Sequence, residues 1–147
     1  MARFSQETEK VLRSSGWKDG RLVDVSRWRS HFEANGITMH DAAKRFLSEF
    51  GGITVKVKGP GITRAREPFE LNPLLADGEE ERFLEWGEEI GVSLFPLGEL
   101  DDGRYFLGID EESRIYIVID WVSRFRAGDD ALEDLILGME AEHVAGW

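Results

Sequence analysis

Cysteine is absent from the 147 residues of the chain, and long apolar runs are absent as well. Without cysteine, structural disulfides, zinc sites built on thiolates and cysteine nucleophiles are excluded. The longest apolar run, Ile115 to Ile119, is too short to cross a bilayer, which takes about 20 residues. The first residues also lack the apolar core of a signal peptide. We therefore expect a cytoplasmic protein with no membrane partner.

The composition predicts a folded domain rather than a disordered chain. Hydrophobic residues make up 41% of the sequence and aromatic residues 11%, well outside the disordered class. A chain of this length buries about two-thirds of its unfolded surface, which is enough for a core. No repeat, low-complexity segment or linker divides it. We predict one domain over residues 1–147.

Charge is divided unevenly along the chain. Residues 1–66 contain 13 Lys and Arg against 7 Asp and Glu, a net charge of +6. Residues 67–147 contain 5 Lys and Arg against 22 Asp and Glu, a net charge of −17. The two parts add up to the net charge of −11 for the chain. An acidic half repels nucleic acid and speeds association with a basic partner. The alternative is that this charge serves solubility alone.

Basic residues cluster around the first predicted hairpin, at Lys56, Lys58, Arg64 and Arg66. A nucleic-acid-binding hairpin would use them to neutralise phosphates, which the acidic second half opposes. We favour a solvent-facing strand pair whose charges protect its edge, and we expect no direct nucleic-acid partner. Contact between this basic face and the acidic face of a second copy is a further alternative, so the oligomeric state stays open.

Helical periodicity dominates the first third of the chain and returns later. The pattern predicts a helix over residues 5–15, with Ser5 as its N-cap and Gly16 as its stop. A second helix carries Val25, Trp28 and Phe32 on one face. A third opens with a capping box at Thr38 and Asp41 and buries Ala43, Phe46, Leu47 and Phe50. Further helices are predicted over residues 79–90, capped by Asp77, and from near Asp129.

Strand-like alternation appears between these helices. Strands are predicted over residues 53–57 and 62–71, and a short one over 92–95 ends at Pro96. Residues 104–110 and 114–121 form a hairpin across Glu111, Glu112 and Ser113. Helices first and strands in the middle favour an α+β fold, with a largely antiparallel central sheet flanked by helices.

Catalytic and metal-binding patterns are missing from the sequence. His31, His40 and His143 have no second histidine or cysteine three or four positions away, so each is interpreted as a surface histidine. Asp101-Asp102-Gly103 does not continue as a calcium loop, and the tip at Asp110-Glu111-Glu112 is expected to be solvated. No nucleophile elbow or phosphate loop is present. We therefore expect no enzyme, no metal and no cofactor.

Five tryptophans are distributed along the chain. Trp28 and Trp86 lie at core spacing on predicted helices, so we expect both to pack inside. Trp17 follows a helix stop, Trp121 ends a strand and Trp147 is the last residue. These three are core residues or interface anchors, and the sequence leaves both alternatives open.

Several segments together resemble a known family. They are Gly16-Trp17 with Arg21, Phe46-Leu47-Ser48-Glu49-Phe50-Gly51-Gly52-Ile53, Leu94-Phe95-Pro96-Leu97-Gly98, and a C-terminal pattern of Gly128, Ala131-Leu132, Leu135-Ile136 and Gly138. In this order and spacing, from about Phe4 to Gly138, the chain resembles the SUKH superfamily, specifically its third immunity-protein family. One departure is Ser113, where the family commonly has a hairpin glycine.

The resemblance implies a bacterial immunity protein that binds and neutralises a cognate toxin, often a nuclease. It implies an α+β fold whose binding surface is one sheet face with its bordering loops, and it brings no catalytic residues. A non-catalytic regulatory interaction module of the same fold is the alternative function. Because nuclease toxins present basic clefts, we predict that loop carboxylates and one aromatic residue meet the toxin. These partner-binding residues are Glu99, Asp101, Asp102, Glu111, Glu112 and Trp121.

Overall fold

One antiparallel sheet organises the computed structural model, which describes residues 3–146, and its strand order follows the chain order. The strands are β1 Thr54–Val55, β2 Phe69–Glu70, β3 Phe95–Leu100, β4 Tyr105–Ile109, β5 Arg114–Val118, β6 Val122–Ala127 and β7 Glu142–Ala145. The helices are α1 Gln6–Ser14, α2 Ser26–Glu33, α3 Asp41–Phe50, α4 Glu80–Ile90 and α5 Gly128–Leu137, with a 3₁₀ helix at Pro73–Ala76. The predicted α+β class is confirmed. No helix within residues 3–146 has both the length and the apolar character needed to cross a membrane.

Helix termini follow local sequence signals, with two corrections. Ser5 caps α1 by accepting a hydrogen bond from the Thr8 N–H, as predicted. The cap of α3 is His40 rather than Thr38, because the His40 Nδ1 accepts from the Ala43 N–H. Asp77 does not cap α4. It ends the 3₁₀ helix, and α4 begins three residues later.

Strand β3 overturns the prediction that Pro96 ends a strand. The strand begins at Phe95 and runs through Pro96 to Leu100, with a register shift between Pro96 and Gly98. At Pro96 it pairs only with β4, since β2 reaches no further than Glu99 and Leu100. The proline therefore lies at a local sheet edge beside a bulge, where a missing N–H is tolerated.

Other strands differ from the sequence prediction in length and number. The returning strand predicted over residues 62–71 contracts to β2, and the residues before it form a loop held by α5, where the N–H of Ile62 donates to the carbonyl of Leu137. Strands β6 and β7 were not predicted at all. Both lie beyond the hairpin, where their pairing partners are set by the sheet rather than by a local pattern.

Helices cover the central strands on both faces. On one face α4 lies over β4, where the Phe83 and Phe106 rings are 6.3 Å apart and a Cβ on Gly108 would come within 3.0 Å of Phe83. Helix α5 packs on β5 and β6 from the opposite face, where Leu135 lies beside Leu100. Residues 107–109 and 115–118 are consequently all buried, whichever face they point to.

Asp110, at the β4–β5 turn, is fully buried rather than solvated as predicted. Its carboxylate accepts hydrogen bonds from the N–H groups of Glu112 and Arg114, from the Arg114 Nε and from the Tyr116 hydroxyl at 2.7 Å. Burial, and then the bond to Asp110, raises the pKa of Tyr116 to about 12. A buried carboxylate is tolerated here because its oxygens are satisfied by four donors.

Aromatic side chains from the N-terminal segments form a cluster around Phe50. Its ring lies 6.3 Å from Trp17 and from Phe4 and 5.1 Å from Phe46. Trp17 is only 3% exposed and donates its Nε1–H to Glu49, so it is a core residue. Trp28 is also buried, as predicted, whereas Trp86, which was expected to pack inside, is only half-buried. Trp147 lies outside the described residues.

The substitution Phe50→Ala should cost about 3–5 kcal/mol of unfolding free energy, because it empties the centre of this cluster. Denaturant titration measures the loss. Leu22→Ala is the control: its side chain is 80% exposed, so the expected loss is below about 0.5 kcal/mol. A loss below about 1 kcal/mol for Phe50→Ala would show that the cluster is not packed as described.

Ser113 has a positive φ of 67°, a left-handed conformation that costs a non-glycine residue of order 1–3 kcal/mol. Ser113→Gly should therefore raise the unfolding free energy by about 1 kcal/mol, after the greater unfolded-state entropy of glycine is subtracted. The same change at exposed Ser30, inside α2, should lower it by about 0.5 kcal/mol. Denaturant titration measures both changes. An equal loss of unfolding free energy for Ser113→Gly and Ser30→Gly would contradict the strain at Ser113.

Candidate partner-binding surface

The predicted partner-binding residues lie at opposite ends of the sheet. Successive turns of an antiparallel meander alternate between the two ends of its strands. We call the end with the β3–β4 and β5–β6 turns the upper end, and it carries Glu99, Asp101, Asp102 and Trp121. The β4–β5 turn, with Glu111 and Glu112, forms the lower end. Helices cover both faces of the central strands, so the open sheet face that the resemblance implies is not available there.

At the upper end the β3–β4 turn presents its two aspartates in a fixed backbone conformation. Asp101 and Asp102 have φ values of 57° and 54°, and the Asp101 N–H donates to the Pro68 carbonyl at 2.7 Å. The Asp101 carboxylate lies 3.7 Å from Arg104. Asp102 is exposed and has no ion-pair partner within residues 3–146. Of the two, Asp102 is the carboxylate whose charge is not balanced by an ion pair among the described residues.

Negative charges crowd one another near this turn. Glu99 on β3 lies directly opposite Glu70 on β2, a like-charge pair that destabilises a sheet. Burial raises the pKa of the Glu99 carboxyl, and the charges of Glu70 and Asp102 raise it further. The pKa of Glu67 is also raised, chiefly by burial and then by Asp101, although Arg64 opposes the rise. A cation bound here would relieve this repulsion.

Trp121 follows Asp120 in the β5–β6 turn and is half-buried. Its ring centroid is 5.7 Å from that of Tyr105, with the planes tilted by 54°. Gly146 packs so closely that a Cβ there would lie 2.6 Å from the Trp121 Cα. Trp121 therefore contributes to packing at the upper end and still exposes part of its ring.

At the lower end the two glutamates already make contacts within the fold. The Glu111 carboxylate accepts from the Ser93 N–H at 3.0 Å and ties the β4–β5 turn to the segment after α4. Glu112 forms an ion pair of 2.8 Å with Arg114. The structure therefore separates this pair from the upper-end residues both in position and in how its charge is used.

The basic residues predicted to line a hairpin do not form one continuous basic surface. Arg64 pairs with Glu67, and Arg66 lies 3.2 Å from Glu7. Lys56 and Lys58 border a cavity of about 290 Å³ whose other walls include three carboxylates, Glu70, Glu99 and Asp102. Much of this positive charge is balanced locally, which weakens the case for a phosphate-binding hairpin.

A groove beside α4 was not predicted from the sequence. This α4 groove has a volume of about 510 Å³ and lies between the helix and the β5–β6 turn. Arg82 pairs with Glu79 at 2.7 Å and with Asp120 at 3.0 Å. The groove is lined by Gly78, Glu79, Glu81, Arg82, Glu85, Trp86, Glu89, Ile119 and Asp120. The sequence signal was the four-residue spacing of Glu81, Glu85 and Glu89.

Two histidines are placed in contacts that the sequence did not predict. The His31 Nε2 lies 2.9 Å from a carboxylate oxygen of Asp77 and 3.7 Å from one of Glu80. Among residues 3–146, these three side chains form the one group whose ligand atoms lie close enough together to hold a metal ion. Without an ion the same atoms link α2 to the start of α4. His40 is not a free surface residue, since its Nε2–H points to the carbonyls of Ser93 and Ile109.

The raised pKa of Glu99 predicts a pH-dependent stability effect. Its folded pKa lies above the ordinary value of 4.5, so the charged form destabilises the fold at neutral pH, and this penalty disappears as the pH falls below 4.5. Glu99→Gln should raise the Tm at neutral pH, with the gain shrinking toward about pH 4. Glu140→Gln, at an exposed position, should show no such gain. A lower Tm for Glu99→Gln at neutral pH would contradict the assignment.

Comparison with known proteins identifies the family of this chain. The family model described as SUKH-3 immunity protein matches residues 4–138, nearly the whole chain. No curated protein and no solved structure matches. The resemblance carried by the Gly-Trp, Phe-Leu-Ser-Glu-Phe-Gly-Gly-Ile and Leu-Phe-Pro-Leu-Gly segments is thereby confirmed. The family supports an immunity role and implies binding to a cognate toxin. The chain belongs to the SUKH-3 immunity protein family.

Proposed function

We propose that this chain neutralises a cognate protein toxin by binding alone, and that the toxin is a nuclease with a basic nucleic-acid-binding cleft. The family match over residues 4–138 is the observation that carries this proposal. Immunity proteins act as inhibitors rather than as enzymes, and the chain has no cysteine or nucleophile motif that would suggest otherwise.

Electrostatics supports a basic toxin. A nuclease has to hold phosphates, so its cleft is positively charged and attracts an acidic protein. Residues 67–147 carry a net charge of −17, and this half contributes α4 and strands β3 to β7. Complementary charge of this kind raises the association rate. Added salt weakens this effect, since exposed charges are screened beyond about 8 Å at physiological ionic strength.

We place the contact at the upper end of the sheet. Asp102 is exposed and forms no ion pair among residues 3–146, and Asp101 and Glu99 add negative charge beside it. Trp121 supplies a partly exposed aromatic ring at the same end, of the kind enriched at interfaces. Glu111 and Glu112 belong to the proposed surface only if the toxin also reaches the lower end.

Charge reversal at the upper end tests this placement. Asp101→Lys with Asp102→Lys should weaken toxin affinity by about tenfold or more at low salt and abolish growth rescue, because it replaces attraction by repulsion. Affinity is measured by calorimetry. The probe is a catalytically inactive variant of the toxin domain encoded beside this chain's gene. Growth rescue uses the active toxin.

The matched control is Glu88→Lys with Glu140→Lys, two exposed carboxylates outside the upper end that give the same change in net charge. Glu111→Lys with Glu112→Lys reports on the lower end. Equal losses in all three pairs would show a general charge effect and refute the upper-end placement. Failure of the unmodified chain to bind the toxin or rescue growth would refute the proposed function itself.

A further inference from the structure

Helix α4 carries a column of glutamates that stability does not explain. Glu81, Glu85 and Glu89 are exposed and follow one another at four-residue intervals, so each is about 6 Å along the axis from the next. Like charges at this spacing destabilise a helix, and Glu89 in the last turn also opposes the helix dipole. An exposed helix usually balances such charges with Lys or Arg four residues away.

No basic side chain neutralises this glutamate column among the described residues. The one basic residue on α4, Arg82, is paired with Glu79 and Asp120. None of the three glutamates takes part in an ion pair within residues 3–146, and the last turn of α4 contains no basic residue. The column therefore presents unneutralised charge along one wall of the α4 groove.

Two apolar side chains, Trp86 and Ile119, also line the α4 groove, and a hydrogen bond holds Trp86 in place. Trp86 is half-buried and donates its Nε1–H to the Ile119 carbonyl at 2.9 Å, which fixes the indole ring against the β5–β6 turn. Ile119 lines the groove beside it. At about 510 Å³ the groove is in the range of pockets that hold small ligands, about 300–1,000 Å³, and thus has room for protruding side chains of a partner.

Three glutamates and an indole ring lining one groove fit one partner chemistry best. Arginine and lysine combine a cationic head with an aliphatic stem, so the head meets carboxylates while the stem covers an apolar surface. A guanidinium also packs favourably over an indole face. Polar uncharged or acidic segments would leave the three glutamates unneutralised.

We propose that the α4 groove receives an Arg- or Lys-rich segment of the toxin, with a cationic side chain over Trp86 and between Glu85 and Glu89. This inference rests on the proposed function. The groove opens beside Asp120, which shares the upper-end β5–β6 turn with Trp121. The upper end and the α4 groove then form parts of one docking surface for a basic partner.

The test compares two isosteric double substitutions with the same change in net charge. Glu85→Gln with Glu89→Gln removes two charges from the groove, whereas Glu88→Gln with Glu140→Gln removes two that do not line it. With the inactive toxin domain as the probe, we expect the first pair to raise the Kd by about tenfold and the second by less than about twofold. Because the first pair relieves repulsion in α4, its Tm should equal or exceed that of the unmodified chain.

Loss of affinity without loss of stability distinguishes a binding role from a structural one. Equal Kd changes for the two pairs, with normal binding by the unmodified chain, would overturn the groove proposal and leave the immunity role standing. A lower Tm for Glu85→Gln with Glu89→Gln would show that the column stabilises α4 and would also overturn it. Absence of binding by the unmodified chain would refute the proposed function, and the groove proposal with it.

Discussion

Burial of the central strands on both faces is the constraint on which the rest of this structure depends. Strands β4 and β5 place buried residues on both sides, so one helix layer is not enough to shield them from water. Helix α4 covers one face and α5 the other. A partner therefore cannot reach the middle of the sheet. The turns at its ends and the outer surfaces of the helices are what remains for recognition.

The many carboxylates of the second half serve two different purposes. Some stabilise the fold: Asp110 holds a hairpin turn, and Asp134, only 4% exposed, binds Arg126 at 2.7 Å. Others, such as Asp102 and the glutamate column on α4, meet no cation within the described residues. Net charge counts both groups equally, whereas only the second group has charge that the described residues do not balance. The proposed recognition surface is built from this second group.

Elements that depend on neighbours close in sequence were predicted well, and elements that depend on distant neighbours were not. Helix α1 with Ser5 and Gly16, and the buried face of α3, follow from caps and periodicity within about four residues. Strand β3 continues through Pro96 because β2 leaves that position unpaired, a fact set by residues far along the chain. Strands β6 and β7 were missed for the same reason: a strand is stabilised by its partners rather than by its own sequence.

The sequence by itself determined the class of fold, the family, the uneven charge and the absence of cysteine chemistry, since these follow from composition and from motifs in a fixed order. Only the tertiary structure decided how the candidate site is arranged. It separated Asp101 and Asp102 from Glu111 and Glu112 by the length of strand β4, and it joined Trp86 to Ile119 in the lining of the α4 groove. The reason is physical. A binding surface is defined by distances between residues, and chain folding brings together side chains that the sequence keeps far apart.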